Sequence, residues 1–177
     1  MLASSAMSPV AAPPALNPIL KILACPWCQS AVHWTDAGLR CVSCKAEFPE
    51  RSGVFDLARR GTAETWGTAN AELSSQEYQE NYADLDPAVE YNRAYEVRLF
   101  KRMSTFRERQ LIARLIGARG RVDTLLELPC GGGRLSPSFA PWARFLIQAD
   151  TGWGQLLHAG QRPPLPTPRV LLAASGF

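Results

Sequence analysis

Apolar and polar positions follow different periods in different parts of this chain. Three short, nearly continuous apolar runs lie in its last third: Val122–Leu128, Phe145–Ala149 and Val170–Ala174. All three read as strands, and the first as a strand buried on both faces. Between residues 88 and 118 apolar positions recur three and four apart, which predicts two helices. The first carries Val97, Leu99, Phe100 and Met103. Thr105-Phe-Arg-Glu108 then reads as a capping box that restarts a helix bearing Leu111, Ile112, Leu115 and Ile116, closed by Gly117 or Gly120. Nearer the start, Val32–Trp34 and Leu39–Cys41 read as a hairpin turning at Asp36-Ala37-Gly38. Asn17-Pro18 opens a short helix, with Asn17 as its cap and Ile19, Leu20, Ile22 and Leu23 packing inward. Residues 1–17, rich in Ala, Ser and Pro, read as a disordered tail. Residues 59–87 are polar and read as a linker with a short helix over Ser75–Ala83.

The run Val122–Leu128 breaks into Gly131, Gly132 and Gly133, with Glu127 next to its end. The following run ends in Asp150, 23 residues past Glu127. Glycines let the backbone turn sharply and let a ligand lie against it. Strand, glycine turn, then an acid closing the next strand is the arrangement of a nucleotide-type ligand site, in which the acid bonds ribose hydroxyls. A tight turn without a ligand is the competing reading. Pro137 and Pro141 shorten the helix after the turn, since proline inside a helix costs ~3 kcal/mol.

Cys25-Pro-Trp-Cys28 and Cys41-Val-Ser-Cys44 are two Cys-x-x-Cys pairs separated by 12 residues. Each pair puts two sulfurs on one side of a turn, and together they complete a tetrahedral zinc shell with no position left for substrate, so the ion is structural. A unit this small buries too little apolar surface to fold alone, so the metal supplies folding energy. The fifth cysteine, Cys130, lies in the glycine turn and is not a ligand. Neither is His33, inside the hairpin, because four sulfurs already fill the shell.

Composition narrows the rest. A net charge of +3 with scattered basic residues does not call for a nucleic-acid partner. No apolar run approaches the ~20 residues that span a bilayer, and no basic segment precedes the weakly apolar start. These features point to a cytoplasmic protein without a membrane partner.

The segment Glu127-Leu-Pro-Cys-Gly131-Gly-Gly133-Arg-Leu resembles the first motif of class I S-adenosylmethionine-dependent methyltransferases, which runs acid, apolar, Gly, any, Gly, any, Gly. Glu127, Gly131 and Gly133 fall on it, and Pro129 stands where the first glycine is usual. The resemblance implies that Glu127 lies near the cofactor's charged end, that Gly131 and Gly133 allow its close approach, and that Asp150 holds its ribose. It also implies that Tyr78, Tyr82 and Tyr91 belong to an aromatic segment closing over the cofactor, and that Trp153 lies near adenine, although packing roles suit each of these. His158 has no evident partner and no catalytic role. Ile22–Pro26, Phe48-Pro49 and Ser52-Gly53-Val54, with the cysteines, resemble the zinc ribbons found as activator subunits of methyltransferases or fused ahead of ribosomal RNA guanine methyltransferases. Lys45 stands where such ribbons often have Gly, and the fourth ligand is Cys where the rRNA enzymes typically have His.

The expectation is therefore an α/β protein. A zinc ribbon (18–58) and a helical lead-in (88–120) precede a partial Rossmann-like methyltransferase sheet of about three strands (121–177). A complete sheet of that family has seven strands, so the reading expects a fragment, a truncated product or half of a split enzyme that alone binds S-adenosylmethionine weakly or not at all. The expected activity is methyl transfer to an acceptor the sequence does not identify. The alternative is a non-enzymatic adaptor whose ribbon docks on a methyltransferase or on RNA. A nucleotide-dependent oxidoreductase is disfavoured by the Gly-Gly-Gly spacing and the broken helix.

Overall fold

The computed structural model describes residues 16–58, 77–78 and 80–174. The expected tail up to residue 15 and the linker over residues 59–76 lie outside them. Of the helix expected over Ser75–Ala83, residues 77–78 and 80–81 are helical, and residues 75, 76 and 79 lie outside the described set.

Helix α1 (Asn17–Leu20) follows the buried Leu16, carries Pro18 in its first turn and buries Ile19, while Ile22 stays exposed. Strands β1 (Val32–Thr35) and β2 (Gly38–Cys41) form the expected hairpin, with Thr35 opposite Gly38 across Asp36-Ala37. Strand β3 (Glu47–Arg51) pairs antiparallel with β2 and then with β4 (Val54–Asp56). Ser52 and Gly53, both at positive φ, make the two-residue turn between β3 and β4. Helices α2 (Leu85–Val97) and α3 (Leu99–Gly117) lead into β5 (Val122–Glu127). The short α4 (Ser136–Phe139) gives way at once to a 3₁₀ turn over Ala140–Trp142, as Pro137 and Pro141 require. Strand β6 (Ala143–Asp150), helix α5 (Trp153–Gln161) and strand β7 (Arg169–Ala173) complete the described chain.

The expected architecture, a partial Rossmann-like sheet of about three strands behind a separate ribbon, is not the one formed. The strands make one mixed, seven-stranded sheet in the order β1-β2-β3-β4-β7-β6-β5. The joint is β4, which pairs in parallel with β7, Val54 opposite Leu171 and Asp56 opposite Ala173. Three apolar runs do become the parallel strands β5, β6 and β7. The edge of β7 that would otherwise be open is covered by the ribbon's last strand.

Alternation along the strands explains why the sheet curls. On one face Phe55 of β4, Phe145, Ile147 and Ala149 of β6, and Val170 and Leu172 of β7 share a core with Val32, Leu39 and Phe48 of the first three strands and with Ile19 of α1. β1 and β6, not neighbours in the sheet order, meet in this core, so the sheet folds over on itself as a half-barrel. The other face, with Val54, Leu171 and Ala173, packs under Leu156 and Ala159 of α5.

Two further expectations change. β5 was expected to be buried on both faces, but it is the terminal strand of the sheet, and Val122, Leu126 and Leu128 are exposed. The helical lead-in breaks at Arg98, whose ψ of 122° is extended, and not at Thr105. Thr105 sits mid-helix and donates its hydroxyl back to the Lys101 carbonyl, so it caps nothing. The apolar row expected to pack inward does not, and no residue of α3 is buried; Phe100 is 85% and Leu115 64% exposed. What α3 turns toward the sheet is its Thr105–Arg109 side, which bonds to the segment after the glycine turn.

Phe55 ties the ribbon to the parallel strands and stacks edge-on against Trp34 at 6.0 Å. Phe55→Ala is expected to cost about 3–5 kcal/mol, read by guanidinium denaturation of the zinc-loaded chain. Because both halves share one core, unfolding should remain a single transition; two resolved transitions in the unsubstituted chain would contradict the shared core.

Candidate functional site

The cysteine pairs come together as their spacing predicts. The four Sγ atoms of Cys25, Cys28, Cys41 and Cys44 lie within 4.8 Å of one another. Cys25 and Cys44 are 3.6 Å apart, Cys28 and Cys41 3.4 Å. Zinc–sulfur bonds of ~2.3 Å in a tetrahedron give sulfur–sulfur edges of about 3.8 Å, so four thiolates placed this way fit a zinc ion. Backbone N–H groups of Trp27 and Ser43 donate to the Cys25 and Cys41 sulfurs, each at 3.4 Å. The residue after each pair, Gln29 or Lys45, lies at positive φ (60° and 63°). Lys45 thus occupies a left-handed position where glycine would sit without strain. His33 is exposed on β1 and is not part of the cluster, and Cys130 is buried far from it in the glycine turn.

The second group lies at the carboxyl ends of β5 and β6. Glu127 is opposite Gln148, and Asp150 follows two residues later, so the three side chains share one face. Asp150 is fully buried. One of its oxygens accepts from Gly131 N–H (2.7 Å), the other from Gly152 N–H (2.8 Å) and from the Tyr78 hydroxyl (3.3 Å). Its carboxylate therefore pins the glycine turn to the start of α5. Burial, then the Asp150 charge, holds the Tyr78 hydroxyl well above the usual phenol range.

Glu127 lies deeper. Its Oε2 accepts from Ser136 Oγ at 2.6 Å and from Gln148 Nε2 at 3.3 Å, and Gln148 also donates to Ser136 at 2.6 Å. Burial raises the Glu127 carboxyl to about 7, against the opposing effect of those hydrogen bonds. Burial likewise pushes the Cys130 thiol up, helped by the charges of Asp150 and Glu127.

The glycines have different reasons to be glycine. Gly131 and Gly133 hold φ of 51° and 71°. At Gly132 the side-chain amide of Asn92 from α2 fills the space a Cβ would need. Asn92 in turn donates to Gln155 Oε1 of α5 at 2.8 Å, so the central glycine lets α2 close onto the turn. Pro129 is exposed and follows a cis peptide bond. The expected aromatic residues Tyr78, Tyr82 and Tyr91, continued by Tyr95, form a chain of ring contacts, with centroids 4.8, 5.6 and 5.3 Å apart, running outward from Asp150. Trp153 packs over the second core with the Arg51 guanidinium 4.6 Å from its ring. His158 has both ring nitrogens buried without a hydrogen-bond partner among the described residues, and burial and then Arg162 lower its pKa.

Sequence reasoning missed the arginines behind the turn. Arg134 donates to Thr105, pairs with Glu108 at 2.7 Å and lies over the Tyr95 ring at 4.4 Å. Arg109 donates to the Arg134 carbonyl at 2.8 Å, and Arg162 Nε donates to the Gly132 carbonyl. Burial lowers the Arg162 pKa, as do the neighbouring charges of Arg109 and Arg134, against the opposing charge of Glu96. The only local hint was an arginine placed directly after the third glycine.

The Glu127 carboxyl ties pH to stability. Its folded-state pKa is raised from 4.5 to about 7, so its contribution is fully present below pH 4.5 and is lost as pH rises toward 7. Between about pH 5 and about pH 8 the zinc-loaded chain should lose up to about 3 kcal/mol more stability than Glu127→Gln, at ~1.4 kcal/mol per pKa unit. Thermal unfolding of both at the two pH values checks this; parallel profiles would contradict it.

No protein-family model matches the chain, and no characterised protein matches it in sequence, so its family is not assigned by similarity.

Proposed function

We propose that the segment between Glu127 and Asp150 takes the nucleoside of S-adenosylmethionine, and that the protein transfers its methyl group to an acceptor, with zinc as a structural ion in the ribbon. The observation that supports this reading is the shared face of Glu127 and Asp150 at the carboxyl ends of two parallel strands, on either side of the Gly131–Gly133 turn. Ligands of open parallel sheets lie at that end of the strands. The bound cofactor supplies an already activated methyl group, so the chain's task is positioning. In this reading the Asp150 carboxylate exchanges the Gly131 and Tyr78 donors for sugar hydroxyls. Tyr78 and Tyr82 cover the ligand, and Glu127 stays buried as support for the turn.

A second reading rests on a separate observation. Both oxygens of Asp150 already hold protein donors, while Trp27 and Val42, one in each Cys-x-x-Cys turn, and the nearby Ile22 are exposed. An apolar tip on a metal-stiffened ribbon suits docking, so this reading makes the protein a non-enzymatic adaptor whose ribbon binds a partner protein. RNA is the weaker candidate there, because those tip residues carry no charge.

Calorimetric titration of the zinc-loaded chain with S-adenosylmethionine separates the two. The enzyme reading expects saturable binding with a dissociation constant of roughly 10–100 µM, weakened about tenfold in Asp150→Asn. The enzyme reading, unlike the fragment expectation, places the whole nucleoside site in this chain, so no saturable binding at roughly 1 mM cofactor would discard it and leave the adaptor.

A further inference from the structure

Behind the glycine turn lies a cavity of about 330 Å³ whose contents the methyl-transfer reading does not use. Arg102 and Arg109 reach it from α3, Arg134 from the end of the turn, and Arg162 from the end of α5. Two of these charges are answered: Arg134 by Glu108 at 2.7 Å and Arg162 by Glu96 at 3.4 Å. Arg102 and Arg109 have no carboxylate partner among the described residues. The Nε of Arg109 is buried without any hydrogen-bond partner there, although its Nη2 is bound to a carbonyl. A buried guanidinium N–H left unpaired costs free energy. Two unanswered guanidiniums facing one cavity match a ligand that brings two negative charges and several acceptor oxygens.

We propose that this cavity binds the phosphate dianion of a small phosphate monoester, with Arg109 and Arg102 as its principal donors. Guanidinium forks suit phosphate oxygens, and the charge balance favours a dianion over a single carboxylate. The volume is at the lower end for small-molecule sites. The organic part of the ligand has somewhere to lie. Phe106, 63% exposed, borders the cavity and also a shallow groove of about 470 Å³ that continues along α3 past Arg109 and Ala113. Arg102, Phe106, Arg109 and Ala113 recur four, three and four residues apart, so one helix face carries both the charges and the aromatic ring. The site is independent of Asp150 and stands or falls without the methyl-transfer reading.

The test titrates the full zinc-loaded chain with inorganic phosphate and with pyrophosphate, and in a parallel arm with a short single-stranded oligonucleotide. Saturable one-site binding of phosphate or pyrophosphate is expected, weakened at least about tenfold in Arg109→Gln and also in Arg102→Gln, with Arg107→Gln unchanged. Arg102 bonds no other described side chain, so its variant keeps the test valid if Arg109→Gln fails to fold; unchanged zinc content and circular dichroism confirm folding. The proposal is overturned if neither anion binds, if both variants bind as the unsubstituted chain does, or if only the oligonucleotide binds, which would make the arginines a nucleic-acid track.

Discussion

The parallel pairing of β4 with β7 is the contact on which the rest depends. β4 is only three residues long, yet it closes the ribbon through β3 and covers the edge of the parallel strands through β7. An uncovered apolar strand such as Val170–Ala173 invites association with other chains. Here the ribbon supplies its neighbour. β4 can do so because its start is fixed by the β3–β4 turn, and its partner β3 begins just after Cys44, the last residue of the four-sulfur cluster. In zinc-finger peptides such a cluster contributes about 10–16 kcal/mol, which is folding free energy because the site does not exist in the unfolded chain.

A second level of organisation is electrostatic and lies on the opposite face. Asp150 spends its charge on backbone N–H groups and so holds the glycine turn down. Glu127 lies buried under the same turn, where burial raises its carboxyl to about 7. The acids are thus inward-facing, and the cations Arg109, Arg134 and Arg162 line the outer side of the same turn, two of them bonding its carbonyls or those next to it. A loop held between the Asp150 carboxylate on one side and guanidiniums on the other has its N–H and C=O dipoles fixed in opposite directions. That polarity is what a ligand at either side would meet.

What could be read from the residues was what residues specify locally. The four ligands, the hairpin across Asp36-Ala37 and the helix cut short by Pro137 and Pro141 all follow from short-range chemistry. The pairing of Val54 with Leu171 could not be read, because strands so far apart in sequence leave no periodic signature of which neighbour each takes. The same ignorance made β5 look buried: an apolar run does not say whether it ends a sheet or sits inside one. On α3 the apolar row was visible but its direction was not, since the bonds that orient the helix are made by Thr105 and Arg109. The arginines of the cavity come from three separate segments, and no spacing rule connects Arg102 to Arg162.

The central claim is that the metal-clamped ribbon and the parallel strands are one cooperative sheet joined at β4 and β7. Hydrogen exchange before and after zinc removal by a chelator tests it most directly. The account predicts that amides of Leu171–Ala173 lose protection together with those of β1 to β4. Loss confined to residues 25–56, with β6 and β7 still protected, would contradict it.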